Sequence, residues 1–556
     1  MKKIILSLSA LLLSGMLYAQ EEKQNAVVNV ENDYNPVVVP VKKKSFTPKE
    51  ESNETTAPLE LKFSEKASPF DGFTSERSVR EFMPKQDGAY NGYVRLGAGT
   101  GNGIDAKAAY NFRINESSDL KAFASFDGFK TDLNSIVDGH DWESRMYSTV
   151  LSADYTCRFE KHILNLTGSF NKRLFNYQNL DGKFIFPDIA VTDKQNCTDF
   201  NIYGNITSQS AGSFSYKIHG GVAFSHRAYT AAAAKGINET NVMYGGSLAH
   251  ELPGTTFQSI GADIDANLFL YNSRMRNAAS NYYNILSADI NPYTRLMISD
   301  WKITAGIKMN VRSKGGPAVA VAPNITIDGL ITDGIGLYAE LKGGRVHNGF
   351  AVMDNITPYW NYNSAYSQQL KPTYKPIDLL LAARISRFEP VSLEAYMGYT
   401  YTKDDLLQVP GSMYNDIVYV ELAQQDTRNF FFGVKAGYDA KGWINLSGDL
   451  RFSSWDAKHD YMLMMKPKVV LDLNAEIRPI KDLSMRVGYN FTHFDSGKDT
   501  ERIDNKNELY ARISYQIGKR FGIYLQGNNL LDREYYDYAG YETRGIRCMA
   551  GATMNF

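Results

Sequence analysis

Leu483-Ser484-Met485-Arg486-Val487-Gly488-Tyr489-Asn490-Phe491-Thr492 is the stretch that decides the fold of this chain. Its odd-numbered residues are apolar or aromatic, and its even-numbered residues are polar, charged or glycine. Successive side chains on a β-strand point to opposite faces, so such a segment separates an apolar medium from a polar one. The pattern recurs in Leu509, Ala511, Ile513, Tyr515 and Ile517, set against Tyr510, Arg512, Ser514 and Gln516. It recurs in Phe214, Tyr216, Ile218, Gly220, Val222 and Phe224, interleaved with Ser215, Lys217, His219, Gly221 and Ser225. Alternation of this kind runs from about Tyr90 to the last residue.

A soluble antiparallel sandwich alternates in the same way, so strand length and turn spacing have to choose between the two. These segments run roughly ten to fourteen residues, longer than the usual soluble strand and long enough for a tilted strand to cross a bilayer. Short turns lie near Asn115–Asp119, Arg158–Lys161, Ser210–Ser213, Pro253–Thr255, Ser299–Asp300, Ile331–Asp333, Arg387–Pro390, Ala440–Gly442, Pro479–Asp482 and Gly518–Arg520. Longer polar connections, such as Lys130–Asp141, Asn176–Gln195, Val346–Thr373, Lys403–Asn429 and Phe494–Lys506, alternate with them. Short turns on one side and long loops on the other describe an all-β outer-membrane barrel with periplasmic turns and extracellular loops. With one strand before the first short turn and one after the last, the hairpins add up to about 22 strands, an even number as single-chain bacterial barrels require. Ile417–Leu422 is the place where an extra hairpin inside a loop would change the count. Closure follows from the solvent, because an open edge would leave backbone donors and acceptors facing lipid.

The N-terminus supports export. Met1-Lys2-Lys3 precedes an almost wholly apolar run from Ile4 to Leu13 and a segment ending Leu17-Tyr18-Ala19, which reads as a secretory signal over residues 1–19. The three cysteines, Cys157, Cys197 and Cys548, are too far apart in sequence to suggest a disulfide framework or a C-x-x-C metal motif. With 60 basic and 61 acidic residues the charge nearly cancels, which argues against nucleic acid as a partner. Lipid of the outer membrane is the expected surrounding medium, and the outer-membrane assembly machinery an expected partner. Along Ile546, Cys548, Ala550, Ala552 and Met554 the apolar face continues to a terminal aromatic, Phe556, which looks like the assembly signal.

Gly527-Asn528-Asn529-Leu530-Leu531-Asp532-Arg533-Glu534-Tyr535-Tyr536, followed by Tyr538, Gly540-Tyr541, Gly545 and Phe556, resembles the closing strand pair of TonB-dependent receptors. The resemblance implies a 22-stranded barrel that passes a solute across the outer membrane, with TonB or another envelope protein as partner. It also implies a globular plug before the barrel, yet only Gln20 to Ala89 stand there. That segment holds a Val-rich piece, Ala26 to Val30, and the run Asn35 to Pro40. A Lys42-Lys43-Lys44 cluster and a polar, Pro-bearing linker follow, the makings of a reduced plug at most. The absence of a full plug leaves a second expectation open, a non-transporting subunit or scaffold of an envelope complex.

A barrel of this size encloses a lumen too wide for wall side chains to fill, so the N-terminal segment, the loops or another protein has to occupy it. Alternation selects Lys217, His219, Asp263, Asp265, Glu394, Asp449, Arg451, Asp472, Glu476, Arg486, Arg512 and Arg547 as facing that lumen. Tyr93, Tyr110, Tyr155, Tyr271, Tyr293, Tyr438 and Tyr489 are expected in the interfacial girdles. Ligand contacts are expected in the aromatic loops Tyr359-Trp360-Asn361-Tyr362-Asn363 and Tyr535-Tyr536-Asp537-Tyr538. No H-E-x-x-H, P-loop or G-x-S-x-G pattern occurs, so neither an enzyme nor a cofactor is expected. Gly97 to Gly103, glycine-rich as it is, leads into an alternating strand and reads as a hairpin turn.

Overall fold

The computed structural model describes residues 90–134, 141–179, 193–209, 213–228, 236–252, 256–272, 282–361, 369–388, 390–414, 417–440, 442–494, 503–543 and 545–556. The signal segment and the candidate reduced plug lie outside the described residues. Alternating segments with one apolar face pair antiparallel with their sequence neighbours, beginning with β1 (Gly92–Gly99) and β2 (Gly103–Asn115) and ending with β22 (Arg547–Asn555). β22 also pairs with β1, with Leu96 opposite Ala552 and Tyr93 opposite Asn555, so the sheet closes into a barrel of 22 strands. The β1–β2 connection is a tight turn in which Gly101 and Asn102 take φ of 61° and 47°, in keeping with the glycine-rich run.

The exposed large side chains on each strand identify the outward parity. Ile218 and Val222, Ile260 and Ile264, Leu393 and Met397, and Ile523 and Leu525 all stand more than a third exposed on the outer wall. This is the reverse of a soluble protein, and it is stable because hydrocarbon rather than water meets that face. Tyr110, Tyr155, Tyr438 and Tyr489 share the outward parity. Tyr93, Tyr271 and Tyr293 do not: Tyr271 and Tyr293 are buried on the inner side, and Tyr93 shares the face of buried Arg95. Those three are not girdle residues, because an odd or even position within the strand, not nearness to its end, decides which medium a side chain meets.

Two connections differ from the polar loops expected of them. Lys403–Asn429 is not a loop but the upper part of one long hairpin, β15 (Val391–Tyr414) and β16 (Ile417–Asp439), whose ladder continues as far as Tyr414 opposite Ile417. Ile417–Leu422 lies in that hairpin and adds no strand. Val346–Thr373 contains a short helix, α1 (Phe350–Ile356), which buries Phe350, Met353 and Ile356 at the i, i+3, i+6 spacing of one helical face.

Candidate functional site: the lumen and the lid over its outer mouth

Among the described residues, most of the fully buried aromatics lie above the barrel, where the long loops converge. Trp142, Phe175, Tyr177, Phe269, Phe350, Tyr359, Trp360, Tyr419, Phe494 and Tyr541 belong to one apolar cluster. They come from strand ends and from loops around the barrel, so the cluster joins opposite walls. The backbone makes the same connection: Gln178 and Asn179, which follow β5 (His162–Asn176), pair with Val418 and Ile417 at the start of β16. A second link runs from the segment after α1, where Val420 N–H donates to Tyr359 O at 2.9 Å and Asn361 N–H to Val420 O at 3.0 Å.

Tyr541, from the last loop, locks these pieces together. Its hydroxyl donates to Val418 O at 2.6 Å and accepts from Gln178 N–H at 3.3 Å, while its ring stacks on Tyr359 at 3.8 Å between centroids. Gln178 Nε2 donates to Gly540 O at 2.8 Å, and Tyr177 Oη to Trp360 O at 2.9 Å. Burial holds the Tyr177 and Tyr541 hydroxyls well above the usual phenol range, so they stay protonated donors. The described loops thus form a lid of packed aromatics in which the hydroxyls of Tyr177 and Tyr541 find acceptors.

Ionic latches fasten the lid to the wall. Asp354 of α1 accepts from Arg227 Nη2 at 2.6 Å and from Trp360 Nε1 at 2.6 Å, and Arg227, wholly buried at the end of β7 (Phe214–Arg227), also reaches Asp199 at 2.8 Å. Nearby, His347 Nε2 sits 2.7 Å from Tyr271 Oη, which donates to Glu239 at 2.8 Å; Arg312 Nη2 is 3.2 Å from His347 Nδ1. Burial pushes the His347 imidazole below its ordinary value, a shift only partly opposed by Glu239 and reinforced by Arg312. A third latch joins buried Lys466 to Asp405 at 2.8 Å, with Thr427 Oγ1 donating to the same carboxylate. Burial lowers the Lys466 ammonium despite that partner.

The residues singled out for the lumen occupy the parity opposite to the exposed apolar wall. His219 Nε2 meets Asp265 at 2.8 Å, and Asp263 accepts from Asn291 at 2.9 Å. Glu394, buried, lies between Arg384 at 3.4 Å and Lys435 at 3.6 Å. Asp449 accepts from Tyr396 Oη at 2.7 Å and faces Asp472 across the ladder, while Arg451 covers the Phe431 ring at 4.1 Å. Glu476 takes Arg486 at 3.3 Å; Arg547 reaches Glu508 at 3.4 Å; Arg512 stacks on Tyr524 at 4.4 Å. Lys217 is exposed. They are spread around the wall in local pairs and do not converge on one centre. Among the described residues no group of three or more His, Cys, Asp or Glu is placed to hold a metal ion.

The two aromatic loops expected to meet ligand are instead taken up by the lid. Tyr359, Trp360 and Tyr535 are buried, because several such loops meeting above one opening exclude water from one another. Tyr362 and Asn363 lie outside the described residues. Sequence reasoning missed Arg227, Asp354, Glu239 and His347; their only signal was charge at strand ends and in a loop, which is ordinary for solvated residues.

Sequence comparisons bring no relative: no family model matches the chain, and no curated protein does. Comparison of structures does. The ferric enterobactin receptor of Pseudomonas aeruginosa, in a variant bound to enterobactin, superposes with a TM-score of 0.62 at 9% identity, covering 84% of this chain and 81% of that one. The siderophore receptor PirA of Acinetobacter baumannii gives 0.62 at 10% identity, over 84% and 80%. The copper transporter OprC gives 0.59 at 12% identity, over 84% and 80%. At such identities the likeness is one of fold: this chain is a closed 22-strand barrel like those receptors and that transporter, and its apolar outer wall places it in the outer membrane.

Proposed function

We propose that this barrel passes a solute across the outer membrane and that its loop lid is the gate. The observation that carries the reading is the lid itself, a cluster of aromatic side chains drawn from opposite walls and held by discrete latches rather than by a continuous sheet. A mouth sealed by loops is a natural place for a unit that opens, since loops carry function on a rigid scaffold. The structurally similar proteins named above, a ferric enterobactin receptor, a siderophore receptor and a copper transporter, support solute passage in general. The polar pairs on the inner wall then solvate the path, and residues 20–89 serve as a reduced plug, with TonB or another envelope protein acting from the periplasmic side.

Planar-bilayer conductance of the full chain tests this. The lid predicts a closed wild-type channel, and the double change Tyr359→Ser with Tyr541→Ser, alone or with residues 20–89 removed, raises conductance stepwise. If neither change raises it while the variants remain folded, passage through this lumen is wrong. A stoichiometric partner in detergent co-purification, with no uptake defect in a deletion strain, would then favour a non-transporting subunit or scaffold.

A further inference from the structure

On the outer wall, at the upper edge of the apolar band, the strands β3 (Ser118–Asn134), β4 (Asp141–Arg158), β5 and β6 (Lys194–Ser208) carry an outward group of cations. Lys130 stands opposite Arg145, Lys172 opposite Thr149 and Thr198, and Lys194 opposite Asn176. All four share the parity of the exposed apolar residues Phe126, Leu151, Leu166 and Phe200, each of which lies lower on its own strand. Neighbouring strands are about 4.8 Å apart, so four adjacent strands gather the cations into one patch rather than a scattered surface. Lys172 is the lowest of them, and its long stem can carry the ammonium up along the apolar wall to the same border.

Three carboxylates face the same way. Glu143 pairs with Lys130 at 2.6 Å and is also acted on by Arg145 and Lys194. Asp132 stands opposite Glu143, and Asp141 opposite Asn134. These register positions lie farther from the apolar band than Lys130, Arg145 and Lys172, so the cations occupy its border and the carboxylates the water side. Arg145 Nε is buried and has no hydrogen-bond partner among the described residues. A buried guanidinium nitrogen at the hydrocarbon border calls for an acceptor, and an anion that arrives with the lipid supplies one.

We propose that Lys130, Arg145, Lys172 and Lys194 bind the phosphorylated headgroup of an outer-leaflet glycolipid, whose acyl chains lie against Leu151, Leu166 and Phe200. Arg145 gives the planar, bidentate contact to phosphate, and the lysines supply surrounding charge. The chemistry required is a phosphomonoester on an amphiphile, and the position above exposed apolar residues selects a lipid over free phosphate.

The test uses the full chain in detergent with bisphosphorylated lipid A, the same lipid after phosphatase treatment, and inorganic phosphate. Bisphosphorylated lipid A is expected to be retained through size-exclusion chromatography, the dephosphorylated lipid not, and millimolar phosphate to compete only weakly. Arg145→Gln with Lys172→Gln is expected to weaken retention about thirty-fold, the loss of two interfacial cations. Arg145→Lys with Lys172→Arg keeps the charge but moves the guanidinium fork, and restores part of the retention, which separates binding from folding. Lys403→Gln with Arg428→Gln, at a rim patch where Arg428 already pairs with Asp456 at 3.2 Å, leaves retention unchanged. Equal retention of the two lipids, no recovery in the charge-preserving variant, or equal loss from both pairs of glutamine substitutions overturns the proposal.

Discussion

At the scale of single residues, Asp354 and Gly92 show how much can rest on one position that local sequence leaves unmarked. Asp354 holds Arg227 and Trp360 together inside the lid. Removing Asp354 leaves Arg227 with Asp199 but strips the buried Trp360 indole N–H of its acceptor, a loss of about 1–3 kcal/mol. Asp354→Ala is therefore expected to accelerate hydrogen exchange across residues 350–361 by about ten- to a hundred-fold, while amides of the barrel wall are unchanged; equal exchange would mean that neither Trp360 nor Arg227 needs this partner. Gly92 lies at the seam, where Phe556 N–H donates to Gly92 O at 3.0 Å and Gly92 N–H to Phe556 O at 2.7 Å. A Cβ at position 92 would run into the Phe556 ring. Gly92→Val is expected to lower the yield of the heat-modifiable folded form on gel electrophoresis. Gly168→Val, where a Cβ would meet nothing within 4 Å, is expected to lower it far less.

At the scale of elements, the lid is a unit with its own pH response. His347 is buried against Tyr271, Glu239 and Arg312 and has its pKa depressed by burial. Its unfolded value lies near about 6.5, so below that pH the opened lid takes up a proton that the closed one resists. Closure is then favoured at neutral pH and weakens as pH falls through about 6.5 toward the lower folded value. Trp360 fluorescence, or exchange of the 347–361 amides on passing from neutral to mildly acidic buffer, is expected to report loosening, and His347→Gln is expected to remove that dependence. A wild-type lid equally tight in acid would show that charging the imidazole carries no penalty there. The upper hairpin of β15 and β16 belongs to the same unit: its ladder continues past the membrane because Tyr419 and Val420 find partners in the lid rather than in water.

For the molecule as a whole, the inverted arrangement of surfaces is the governing fact. Ile264 is 47% exposed near the middle of its strand, where lipid takes the place of water. Ile264→Arg is expected to cost about 2–4 kcal/mol in urea-dependent refolding into vesicles, the penalty of a cation at the bilayer midplane. Asn267→Arg, of opposite parity on the same strand, is expected to cost much less; similar losses would place both positions in the same medium.

The alternation in Leu483–Thr492 and its repeats determined the closed barrel, its strand number and which half of each strand meets lipid, because these follow from a period of two and from a solvent that forbids open edges. The choice of inward charges followed from the same parity. What decided the lid lay elsewhere: the pairing of Gln178 with Val418, the stacking of Tyr359 on Tyr541 and the latch from Arg227 to Asp354 join residues far apart in the chain. No local pattern encodes such contacts. Only when the strands have closed do the loop ends converge above one opening, and only then can their aromatics pack on one another and shut water out.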